Sequence, residues 1–109
     1  MTRWALGGLL FAQALLRDVE GAHATLAALD EIGPHPAAFS EAILERAKGW
    51  LLLAESDPEA AKAQIRLAGE HAAAMGLPAR ELPALHDLAR LGEAEEVLDR
   101  ARAVVRIAR

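Results

Sequence analysis

Three turn-like segments of one make-up recur along this 109-residue chain and constrain its fold more than any other feature. Asp18-Val19-Glu20-Gly21-Ala22, Asp57-Pro58-Glu59-Ala60-Ala61 and Glu93-Ala94-Glu95-Glu96-Val97 each run acidic, any residue, acidic, any residue, small or apolar. Their last residues, Ala22, Ala61 and Val97, are 39 and then 36 positions apart (22 to 61, 61 to 97). An acidic side chain just before a helix accepts from its free N–H groups, and a second acid in the first turn meets the positive end of the helix dipole. Pro58 suits a first helical position. Each segment therefore reads as a helix restart, and a connection this short makes the flanking helices antiparallel.

The remaining punctuation fixes the helix ends. Gly33-Pro34-His35-Pro36 is a break, because two prolines remove donors and push the residues before them toward extended backbone. Ser40 stands at an N-cap position ahead of the face Ile43, Ala47, Trp50 and Ala54. The next face is Ala61, Ile65, Ala68, Ala72 and Met75, stopped by Gly76 as the left-handed residue with Pro78 beyond. Pro83 is tolerable only in the first turn of a helix whose inner face holds Leu85 and Leu88. Gly92 ends that helix, and Ala94, Val97, Ala101, Val104 and Ala108 line the last one. Val19, Ala22, Leu26 and Leu29 trace the second. Six helices result, at about 3–16, 18–31, 39–55, 58–75, 80–91 and 93–108, grouped as hairpins at about 3–31, 39–75 and 80–108 of a single domain, 1–109. Ala and Leu, the best helix formers, dominate, and the few Val and Ile residues never alternate as in a strand.

Composition excludes several kinds of chemistry. Without cysteine there are no disulfides, thiolate metal sites or thiol nucleophiles. A net charge of -4 and a pI near 5.5 leave no basic footprint for nucleic acid. Arg100, Arg102, Arg106 and Arg109 gather at the C-terminus, but Glu95, Glu96 and Asp99 precede them, an order that matches the dipole of the last helix. The apolar stretch Trp4 to Leu16 is too short to span a bilayer. Behind Arg3 it also has the outline of a secretory leader, although a leader needs no helical partner and this stretch has one. No membrane contact is expected, and a cytoplasmic location is.

No catalytic constellation emerges. His23, His35, His71 and His86 are scattered, and no two lie on one helix at the i, i+4 spacing of a metal site. His71 is expected on a solvent side, His86 at a helix–helix boundary. The carboxylates read as solvated partners of nearby bases, as in Glu59 with Lys62, Arg66 with Glu70 and Glu96 with Arg100. Gly7-Gly8 lies inside a helix, and neither Ser40 nor Ser56 sits in a nucleophile elbow. Trp4 and Trp50 fall on inner faces. An enzyme is not expected, nor is any cofactor or metal.

The recurring restart resembles the tetratricopeptide unit, a hairpin of about 34 residues with a small residue early in its second helix. Further core positions four and seven residues on would be Leu26 and Leu29, Ile65 and Ala68, Ala101 and Val104. Gly49 falls where the first helix usually carries a small residue that lets the pair approach. The fold class is therefore all-α, with antiparallel hairpins stacked as a tetratricopeptide-like superhelix, and an ordinary helical bundle is the competing reading. Neither terminal helix is polar enough to act as a cap, which implies a piece of a longer solenoid or self-association through an end.

Ala47-Lys48-Gly49-Trp50-Leu51 through Ala84-Leu85-His86-Asp87-Leu88-Ala89-Arg90-Leu91-Gly92 resembles the helical-repeat region of LuxR-type, MalT-like bacterial transcriptional regulators. Ala54-Glu55-Ser56-Asp57-Pro58-Glu59-Ala60-Ala61 is similar to that family's inter-helix turn, with Ser56 in place of the usual Gly. The likeness covers about residues 40–108. It implies a relay segment contacting a protein partner or neighbouring domains, since neither a P-loop nor a helix-turn-helix is present. A stand-alone adaptor or oligomerisation module, and an effector pocket near Trp50 and His86, are the alternatives. Gln13, Glu45, Lys48 and His86, as solvent-side polar residues of the first helices, are the partner-binding candidates.

Overall fold

The computed structural model describes residues 3–33 and 38–108, with side chains from Ala5 to Gly33 and from Glu41 to Ile107. The break at 34–37 with His35, and the side chains of Trp4 and Ser40, lie outside the described residues. The helices are α1 (Arg3–Leu15), α2 (Val19–Ile32), α3 (Ala38–Ala54), α4 (Pro58–Ala74), α5 (Pro78–Leu88) and α6 (Ala94–Ala108). A wider turn at Ala89–Glu93 joins α5 to α6, and no strand occurs among the described residues. No helix is long and apolar enough to cross a membrane.

Three of the turns are the same structure. The helix ends in a left-handed residue, Arg17 (φ 60°), Ser56 (φ 64°) or Gly76 (φ 67°). Its N–H reaches back to Ala14, Leu53 or Ala73, and the next N–H, of Asp18, Asp57 or Leu77, reaches Gln13, Leu52 or Ala72. This paired 5→2 and 6→1 bonding satisfies the last carbonyls. At the first two turns the residue after the left-handed one then caps the next helix with its side chain, whereas Leu77 makes no side-chain cap. Asp18 Oδ1 accepts from the Gly21 N–H at 3.0 Å and Asp57 Oδ1 from the Ala60 N–H at 3.2 Å. The Asp18 and Asp57 restarts thus have the expected form, but the third member is Gly76-Leu77. Glu93 is instead the last residue of the wider turn, after Gly92 at φ 101°, and its carboxylate faces Lys62 and Arg66.

Two further boundaries differ from the sequence expectation. α3 starts at Ala38, so Ser40 lies inside the helix and not before it. α5 starts at Pro78, which puts Pro83 beyond the first turn. The bond Pro83 cannot donate is owed to the Ala79 carbonyl, and Ala79 is exposed, so water can satisfy it.

The inner helices each pack chiefly on two others, while α2 packs mainly on α1 and α6 mainly on α5. α1 lies between α2 and α3, α3 between α1 and α4, α4 between α3 and α5, and α5 between α4 and α6. The packing order is therefore α2, α1, α3, α4, α5, α6, in a slab of 37 × 31 × 17 Å. One core joins α1, α2 and α3 around Leu10, Leu29, Leu44 and Leu51, and a second joins α4, α5 and α6 around Ile65, Leu85, Leu88 and Val104. Burying each such aliphatic side chain contributes about 1.5–3 kcal/mol. Ala22, Ala61 and Val97 are all buried, as are Leu29, Ile65, Ala68 and Val104, whereas Leu26 and Ala101, expected in the same register, are only half-buried.

Between the two cores, α3 and α4 meet at Gly49, where an added Cβ would run into Ile65 Cγ1. The expected close approach at Gly49 is present. Gly69 plays a similar part on α4, with Ala84 Cβ 3.3 Å from where its own Cβ would stand. The inner face of α3 is turned from the expected one. Ala42, Leu44, Ala47 and Leu51 are buried while Ile43, Trp50 and Ala54 are only half-buried, because α3 is packed from both sides and a single stripe cannot describe it. Met75, expected inward, is exposed.

Candidate functional site

Polar chemistry inside the slab is concentrated on two buried carboxylates. Asp87, on α5, accepts from Arg46 Nε at 2.5 Å, Arg46 Nη2 at 3.0 Å and Trp50 Nε1 at 2.9 Å. Arg46 also lies 4.7 Å over the Phe11 ring, and Phe11 meets Trp50 edge-on at 6.3 Å. The cluster ties α1, α3 and α5 together with every bond satisfied. Glu81, one turn and a half earlier, accepts from Arg100 Nε at 2.5 Å and Nη2 at 2.7 Å, tying α5 to α6. The hydrogen bonds that Arg100 donates to Glu81, then the Glu81 charge, raise the guanidinium above its ordinary value against the opposing effect of burial. A raised base contributes fully below its unfolded pKa and loses its effect only as pH rises through the folded one. Arg100 is thus a permanent cation at any acid or neutral pH.

These contacts replace two of the three intrahelical pairs expected from sequence. Glu59 and Lys62 do pair, at 3.4 Å. Arg66 reaches Glu93 (3.7 Å) and Glu96 (3.4 Å) in place of Glu70, and Arg100 takes Glu81 in place of Glu96. Both changes follow from packing: α4 meeting the last hairpin brings Glu93 and Glu96 beside Arg66, and Glu81, 6% exposed, offers Arg100 a drier partner than Glu96 at 67%. Sequence reasoning missed Glu81 and Asp87. A signal existed, for Glu81 stands three residues before Ala84 and seven before Leu88, on the stripe that faces the core.

The four candidate residues do not form one site. Gln13 is half-buried between α1 and α2, its Oε1 2.6 Å from the Thr25 hydroxyl, so it joins a hairpin and does not face solvent. Glu45 is half-buried as well: Oε2 accepts from His71 Nδ1 at 2.7 Å and its carbonyl from Gln64 Nε2 at 3.0 Å. His71 is on the solvent side, as expected. Lys48 makes no ion pair among the described residues. His86 is exposed beside a groove at the α5–α6 boundary. No hydrogen bond or ion pair links any two of the four. Trp50 and His86 line different cavities, so the pocket anticipated near both is not formed by them. Among the described residues no three of His, Asp and Glu converge to metal-binding distance.

That α5–α6 groove is a concave feature of about 460 Å³. Leu82, Leu85 and Ala89 form one wall, Val97, Leu98 and Ala101 the other. It exists because α6 carries two apolar stripes. Val97 and Val104 turn into the second core, while Leu98 (48% exposed) and Val105 turn out. α1 also has an apolar outward face. Gly8, Leu9, Ala12, Leu15 and Leu16 are all exposed, Leu16 at 81%, and no charge occurs between Arg3 and Arg17. Isolated exposed leucines are ordinary, but a contiguous apolar groove or helix face marks an interaction surface. No family model, curated protein or solved structure matches the chain.

Proposed function

We propose that this chain is a non-catalytic protein-interaction module of tetratricopeptide-like design, which takes an apolar helix of a partner into the α5–α6 groove. The carrying observation is the groove itself: an open trough of about 460 Å³ walled by Leu82, Leu85, Val97 and Leu98, between two antiparallel helices locked by Glu81 and Arg100. Such a trough suits an amphipathic helix presenting side chains at i, i+3, i+4 and i+7. The repeat reading is supported by the equivalent burial of Ala22, Ala61 and Val97 and by the two capped turns at Asp18 and Asp57. It is an irregular array, since α3 joins the first hairpin mainly through α1 whereas α5 joins the second mainly through α4.

The resemblance of Ala47–Leu51 and Ala84–Gly92 to LuxR-type regulators supports a narrower version, in which the module relays a signal between neighbouring domains in the cytoplasm. A photo-crosslinking residue at position 98, with position 27 on the outer face of α2 as control, tests the interaction reading in cells. A protein adduct formed from position 98 and not from position 27 is expected. Equal or absent adducts at both positions would sink it.

A further inference from the structure

We propose that a cavity at the junction of α1, α3 and α5 binds a small organic acid, its carboxylate on Arg80 and Arg46 and its apolar body against Phe11, Ile43 and Pro83. The site is separate from the α5–α6 groove and does not depend on what that groove takes.

The cavity has a volume of about 130 Å³ and is lined, among the described residues, by Phe11 of α1, Ala42, Ile43 and Arg46 of α3, and Arg80 and Pro83 of α5. Helical spacing brings these residues to one place. Ile43 and Arg46 are three apart on α3, Arg80 and Pro83 three apart on α5, so each pair shares a helix face. Sites for drug-sized ligands run to about 300–1,000 Å³, so this one suits a smaller molecule.

The two arginines differ in what they have left to offer. Arg46 gives Nε and Nη2 to Asp87 and lies over the Phe11 ring, which fixes it in place, and its Nη1 is not used by Asp87. Arg80 is half-buried and forms no ion pair among the described residues. A charge drawn partly out of water without a partner is costly. The carboxylates nearest in sequence are committed elsewhere: Glu81 to Arg100, Asp87 to Arg46 and Trp50, and Glu45 to His71. Glu41, beside Ala42 in the chain, does not line the cavity. The cavity thus joins an uncompensated guanidinium to apolar walls.

That combination selects the ligand class. A guanidinium fork matches a carboxylate in plane and spacing. Inorganic phosphate would meet the charge but leave Phe11, Ile43 and Pro83 uncovered. A neutral apolar molecule would cover them and leave Arg80 unpaired. An acid with a short branched or single-ring body meets both demands.

The test titrates the full chain with acetate, isovalerate and benzoate, with benzamide and inorganic phosphate as controls, read by methyl and arginine Nε NMR. Isovalerate and benzoate should shift the Ile43 methyls and the Arg80 Nε–H at millimolar concentration and raise the unfolding midpoint. Acetate, benzamide and phosphate should bind more weakly. Arg80→Gln removes a charge that holds no other helix, so its unfolding midpoint without ligand should match the wild type. The same change should weaken the two larger acids by about tenfold or more. Absence of Ile43 and Arg80 shifts with all three acids overturns the proposal, and so do shifts confined to Leu85 and Leu98 of the groove. Benzamide or phosphate binding as tightly as benzoate overturns the ligand class. Unaltered acid binding by Arg80→Gln overturns the role of Arg80; the wild-type shift map and the control probes decide the rest without any variant.

Discussion

Replacing Asp87 with alanine tests whether the two halves of the slab depend on one carboxylate. The substitution strands the Trp50 N–H and leaves the Arg46 guanidinium without its bidentate partner. Removing one member of a buried ion pair costs about 3–5 kcal/mol. Arg46 is 29% exposed, however, and lies against Phe11, so part of its charge rehydrates in the variant. The expected loss is therefore about 2–3 kcal/mol, at or just below the low end of that range. For a domain of this size that is a fall in melting temperature of roughly 10 °C. Asp87→Asn keeps the shape and one acceptor and should lose about half as much. Arg46→Met with Asp87→Leu removes both charges and should return close to the wild type, because an apolar pair of similar volume replaces a buried ion pair at little cost. Urea unfolding followed at 222 nm measures all three. The reasoning fails if Asp87→Ala changes stability by less than about 1 kcal/mol, or if the double variant is no more stable than the single.

Other expectations follow from the turns and the packing. Arg17→Gly and Ser56→Gly should each raise stability by about 0.5–1 kcal/mol, because glycine relieves a left-handed residue at no steric cost, while Gly76→Ala should lower it by about 1 kcal/mol; denaturant midpoints decide. Gly49→Ala should cost about 1–3 kcal/mol by forcing α3 from Ile65, and trimming Ile65 to alanine in the same chain should make the two effects clearly non-additive in a double-mutant cycle. Gln13→Ala should lower the thermal midpoint through the lost Thr25 bond while leaving the crosslink from position 98 unchanged, which separates its structural role from a partner contact.

Much of this architecture is legible in the residues because local chemistry dictates it. Asp18 and Asp57 cap helices for the same reason in any surroundings, and Gly76 and Gly92 adopt left-handed backbone because glycine does so without steric cost. Gly49 announces a close helix pair through the absence of a side chain. What the residues alone do not disclose is pairing across the fold. Arg66 and Glu70 satisfy the i, i+4 rule, yet the arginine turns to Glu93 and Glu96, which come near only after α4 meets the last hairpin. Asp87 is indistinguishable locally from a solvated acid, and it becomes a buried acceptor once α3 and α5 meet at Arg46 and Trp50. The candidate site failed to emerge for the same reason. Polar residues such as Gln13 and Glu45 suggested an exposed recognition face, but the hairpins use them as internal ties. The surface left open is apolar, and apolar residues in a sequence read as core.

The groove is the centre of this account, and methyl NMR of the full chain observes it directly. On titration with an amphipathic helical peptide carrying Leu at i, i+3, i+4 and i+7, the methyls of Leu82, Leu85, Val97 and Leu98 should shift while Leu44 and Leu51 in the first core stay still. Groove methyls unmoved at saturating peptide, or shifts confined to other faces, would contradict the assignment of the α5–α6 groove as the docking seat.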